Sequence, residues 1–86
     1  MEFAVRVDVT HKDGILDPQG TAIERALPAL GYGNVRGISV GKVLALIVDA
    51  PDEAAARAQV DEMCRRLLAN PVIENYAIAI TALERA

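Results

Sequence analysis

Between Phe3 and Val9 the apolar residues fall at every second position (Phe3, Val5, Val7, Val9), with Ala4, Arg6 and Asp8 between them. That period of two predicts a strand with one buried face. The spacing then becomes helical: Ala22, Ile23, Ala26, Leu27 and Leu30 form one stripe, and a helix is predicted from Pro18 to Leu30. Asp17 offers a carboxylate to the free amides of its first turn, Pro18 fits the first helical position, and Gly31 supplies the left-handed residue that ends many helices. Pro28 conflicts with an uninterrupted helix, because it lacks the N–H that would bond the Glu24 carbonyl, so the last turn is expected to bend or loosen.

Val35 to Val40 and Val43 to Asp49 read as two further strands joined by Gly41-Lys42 in a type II′ hairpin. The second run is apolar on both faces, which predicts a central strand covered on both sides. Asp52 caps a second helix whose Ala56, Val60, Met63, Cys64, Leu67 and Leu68 share a face. Asn70 is predicted to take the left-handed position after that helix, and Pro71 prevents its continuation. A last alternation from Val72 to Thr81, through Tyr76, Ile78 and Ile80, predicts a fourth strand. The order gives a ferredoxin-like βαββαβ fold of the α+β class, a four-stranded antiparallel sheet with two helices on one face, in a single domain spanning residues 1–86.

Composition changes this picture in one respect. The 86 residues are 52% hydrophobic but only 3% aromatic, so the core is built from Val, Ile, Leu and Ala. If the helices cover the face of Val5, Val7 and Val9, the opposite face carries Ala4, Ala77, Ala79 and half of the Val43 to Val48 run. A face that apolar predicts self-association, through the open face, an edge strand or both, with dimer and tetramer left open. The net charge of −3 offers no basic surface for nucleic acid. The single cysteine, Cys64, excludes an intrachain disulfide and suits a reducing compartment. Glu2, Arg6 and Asp8 interrupt any signal-type apolar stretch and no run reaches transmembrane length, so a cytoplasmic protein without membrane contact is expected.

Candidate chemistry is sparse. His11 and Lys12 close the first strand, where a base and an anion contact are conceivable, yet the only histidine has no Ser, Cys or carboxylate partner at recognisable spacing, and a solvated pair is the simpler reading. Cys64 sits among Met63, Leu67 and Leu68, as a small core hydrophobe does. Asp13, Asp17 and Glu53 lack metal-loop spacing, and Asp17 already has a capping role, so no metal is expected. Gly14 and Gly20 flank a helix start where backbone amides bind anions, but the cap accounts for the pattern. The Cys-x-x-Cys loop of a metal chaperone, the strand aromatics of an RNA-recognition module and the arginine-bearing Gly-rich loop of an acylphosphatase are all missing.

Three segments carry a resemblance: Lys12-Asp13-Gly14-Ile15-Leu16-Asp17-Pro18-Gln19-Gly20, the pair Gly41-Lys42, and Cys64-Arg65-Arg66-Leu67-Leu68-Ala69-Asn70-Pro71-Val72-Ile73-Glu74. Together they resemble the PurS family, the small subunits of phosphoribosylformylglycinamidine synthase. The resemblance implies a non-catalytic subunit of an ATP-dependent ligase complex in purine biosynthesis. Such a subunit pairs with itself, bridges a glutaminase and a large synthetase, and assists ammonia transfer. It implies no cofactor bound by this chain, ATP and Mg being used by the large subunit. Lys12, Asp17, Gly20, Gly41 and Lys42 are expected to shape partner contacts, Asp17 and the glycines through backbone geometry. The alternative is a small-molecule-sensing module of the same fold, binding its ligand between a helix N-terminus and a dimer interface.

Overall fold

The computed structural model describes residues 1–83. Strand β1 runs Glu2–His11, helix α1 Pro18–Ala26, strand β2 Lys42–Asp49, helix α2 Glu53–Met63 and strand β3 Glu74–Ala82. The three strands form one antiparallel sheet in the order β2-β1-β3. The register sets Val5 opposite Leu46 and Ile80, and Val7 opposite Leu44 and Ile78. The alternation read in β1 therefore holds: Phe3, Val5, Val7 and Val9 are buried on one face, against Ala56, Val60 and Cys64 of α2.

The fourth strand is absent from the described residues, and the sheet has three strands rather than the four predicted. Segment 35–40 has the β-branched composition of a strand, but two of its backbone donors are taken by side chains. The Val40 amide donates to Asp17 Oδ2 at 2.7 Å and the Gly37 amide to Glu24 Oε1 at 2.9 Å. Gly37 also has φ +73, outside the strand region. The hairpin expected at Gly41-Lys42 consequently does not form. The β2 strand is an edge strand rather than a central one, with Val43 and Ile47 exposed on its outer face.

Both helices end in altered turns. Beyond α1 the chain tightens into a 3₁₀ turn over Leu27–Leu30, with Pro28 near its start, and Gly31 (φ +96) closes it. The proline shortens the α-helix and changes its pitch without stopping the turn. Beyond α2 the chain widens into a π turn, Cys64–Leu68, with the Ala69 amide bonded to the Cys64 carbonyl at 3.0 Å. This shift rotates Leu67 out of the predicted core face, leaving it 83% exposed, and Met63 is exposed with it. Asn70 does not adopt a left-handed backbone, since no described non-glycine residue has positive φ. Its side chain instead accepts the Val72 amide at 3.1 Å, and its own amide donates to Glu74 Oε1 at 2.7 Å, a turn that leads directly into β3.

On the side of α2 facing β3, the Tyr76 hydroxyl donates to Asp61 Oδ1 at 2.6 Å. Losing that proton would forfeit the bond and set two anions together, so the phenol is held above its usual range, with burial adding to the effect. Burial and the nearby Asp61 likewise push the Cys64 thiol up.

Candidate functional site

The five residues singled out in the sequence, Lys12, Asp17, Gly20, Gly41 and Lys42, all lie at one end of the sheet, where α1 leaves the body. Asp17 carries two loads there. Its Oδ1 accepts the Gly20 amide at 2.9 Å, the expected cap, while Oδ2 accepts the Val40 amide at 2.7 Å. These two bonds hold its carboxyl below the usual aspartate range, against the opposing effect of burial. The Val40 carbonyl lies 3.3 Å from His11 Nδ1, which donates to it in the Nδ1–H tautomer. Residues 17 and 11 thus grip residue 40 through both of its backbone groups.

The two glycines make this closeness possible. A Cβ on Gly20 would collide with the Ile38 carbonyl oxygen, and one on Gly41 would stand 2.5 Å from the Val9 carbonyl oxygen. At both positions the chain passes too close to a neighbouring backbone for any side chain. The half-buried Lys12 donates its amide to the Ile73 carbonyl at 2.9 Å, joining this end of the sheet to the turn before β3. Lys42 is exposed at the start of β2, paired in register with Val9. Among the described residues neither lysine joins an ion pair.

His11, Glu24 and Val40 are the parts of this joint that the sequence reading passed over as contacts. The signal available was Glu24, four residues after Gly20 and so on the same side of α1. No group of three or more His, Cys, Asp or Glu among the described residues is placed to hold a metal ion. No helix among them is long and apolar enough to cross a membrane.

What the arrangement offers instead is apolar surface. Of α1 only Gly20 is buried, and Ile23 and Leu30, predicted as core, are 46% and 71% exposed. The outer sheet face presents Val43, Ala45 and Ile47 beside Ala77 and Ala79, all exposed. One polar pair, Arg6 Nε to Asp8 Oδ1 at 3.1 Å, interrupts that face at β1.

The PurS family, described as phosphoribosylformylglycinamidine (FGAM) synthase, matches residues 4–82. The phosphoribosylformylglycinamidine synthase subunit PurS of Synechocystis is 52% identical over 84 residues, covering 98% of this chain and 84% of that protein. The crystal structure of Methanocaldococcus jannaschii PurS superposes with a TM-score of 0.82 at 36% identity, over 95% of this chain and 99% of that one. A chain in the structure of PurLQS from Thermotoga maritima gives 0.83 at 32% identity, over 94% and 99%.

Proposed function

The chain belongs to the PurS family, the small accessory subunits of the phosphoribosylformylglycinamidine synthase complex of purine biosynthesis, and from that premise we propose that it bridges the complex's glutaminase and ATP-dependent synthetase subunits. In this reading it supplies no catalytic group and binds no cofactor, ATP and Mg belonging to the large subunit. It works in the cytoplasm as a homodimer or tetramer. The observation that carries the reading is 52% identity over 84 residues to a PurS subunit, supported by the uncovered apolar surface of this protomer.

The physical task suits a scaffold. Ammonia passing between two sites must be kept from solvent and from protonation, which calls for closed interfaces more than for reactive side chains. Lys12, Asp17, Gly20, Gly41 and Lys42 are the residues we assign to shaping those contacts. The glycines and Asp17 fix the backbone of the joint, and the two lysines give it charge. An omission assay tests the reading: amidine formation is measured from glutamine and from free ammonia, with and without this chain. Glutamine-dependent turnover is expected to fall to background without it. Turnover that persists would overturn the role. In the same assay, unchanged turnover with Lys12→Ala and Lys42→Ala combined would remove the charge-contact part alone.

A further inference from the structure

In an antiparallel ladder every second residue turns its N–H and C=O toward the neighbouring strand, and the residues between turn theirs away. The Lys12 amide bonds the Ile73 carbonyl at 2.9 Å and the Leu83 amide bonds the Glu2 carbonyl at 2.9 Å, so the odd-numbered positions of β3 face β1. The even-numbered ones, among them Tyr76, Ile78 and Ile80, aim both backbone groups outward, and no described strand lies beyond them. At the start of the strand the Glu74 amide turns back to the Asn70 carbonyl at 2.7 Å. Of the outward groups of Tyr76, Ile78 and Ile80, only the Ile78 carbonyl meets a side chain among the described residues, Arg57 Nη1 of α2 at 3.4 Å.

That contact is long and uses one of the five donors of a guanidinium. Arg57 is exposed and joins no ion pair among the described residues. The acid one turn further along α2, Asp61, is already held by the Tyr76 hydroxyl at 2.6 Å and by Arg65 Nε at 2.9 Å. Beneath this flank of the helix the side chains of Tyr76, Ile78 and Ile80 are only partly buried. A strand laid along the edge would bond the outward amides and carbonyls and cover the open part of those three side chains. Its residue opposite Ile78 would point to the same face of the sheet, beside the guanidinium. The Ile78 carbonyl has two lone pairs, so an incoming amide and Arg57 can share it.

We infer that the free edge of β3 receives an extended segment of a partner subunit, added as a further strand and carrying an Asp or Glu beside Ile78 that pairs with Arg57. A second copy of this chain does not meet that description. Its β3 has no carboxylate from Asn75 to Ala82 and its β2 none from Val43 to Val48, and pairing two β3 edges would bring a second Arg57 to the first. An acid-bearing strand from a different protein satisfies the backbone edge and the unpaired cation together. The inference rests on the bridging role proposed above and assigns one of its contacts to a surface distinct from the joint of Asp17 and Val40.

Residue-resolved hydrogen exchange of the full chain tests this, alone and assembled with the glutaminase and synthetase subunits, singly and together. In the chain alone the amides of Tyr76, Ile78 and Ile80 should exchange fast while those of Ala77 and Ala79 are protected, and assembly should slow the first three at least tenfold. Arg57→Glu should weaken assembly at least tenfold by sedimentation with an unchanged circular dichroism spectrum, because the side chain is exposed, and Arg57→Lys should recover most of the loss. Assembly that leaves the three amides unprotected overturns strand addition and leaves bridging standing; no assembly at all overturns both. Protection that grows with concentration of the chain alone would give the edge to a second copy and overturn the proposal. An Arg57→Glu variant that assembles normally but aggregates faster would make Arg57 a guard of the edge and overturn it as well.

Discussion

Val40 shows how much a single residue's backbone decides. Its amide goes to Asp17 and its carbonyl faces His11, so neither group is free for a strand ladder. Asp17 as a cap was legible in Asp-Pro; its grip on residue 40 was not, because nothing local in the sequence ties positions 23 apart. The sign of the pH dependence follows from the lowered carboxyl. The folded state favours the ionised form, so the clasp contributes fully above the ordinary aspartate value of 3.8 and is lost as pH falls through a lower value. The Gly20 and Val40 amide resonances should titrate together with a midpoint below 3.8; a midpoint at or above it would contradict the assignment. Cys64 was read correctly as core from its neighbours, and its fully buried, upshifted thiol belongs there.

At the scale of elements, both central signals held where one physical rule governed them. The period of two in β1 and the Asp52 cap of α2 are local properties, and both appear where the pattern placed them. Replacing Asp52 by Ala removes its bond to the Ala55 amide, 2.7 Å long, and should cost about 1 kcal/mol. In a domain of this size that lowers the thermal midpoint by roughly 4–8 °C, read from far-ultraviolet circular dichroism. The readings that failed were those in which another part of the chain competed. Segment 35–40 had strand composition but lost two of its donors to α1 and its cap; Leu67 had the right spacing for the core until the π turn rotated it away. The α1 stripe was visible in the sequence, but its burial in the same protomer was an assumption that the structure does not meet.

At the scale of the whole molecule, the protomer is a thin slab, 52 × 33 × 14 Å, with its core under one helix. Self-association as proposed would stabilise the folded chain by mass action. The thermal midpoint should therefore rise with protein concentration over a range of about a hundredfold. An unchanged midpoint across that range would mean that the isolated protomer already holds its full stability. One consequence concerns the edge strand β2. From Val43 to Val48 it offers Val-Leu-Ala-Leu-Ile-Val, six residues without charge, proline or glycine, along a backbone edge that no described strand covers. Cross-β fibrils grow from runs of this composition on open edges, and only Lys42 and Asp49 at its ends act as gatekeepers. Copies produced without enough partner would be at risk of aggregating through this strand, which gives the cell a solubility reason to make the subunits of the complex in proportion.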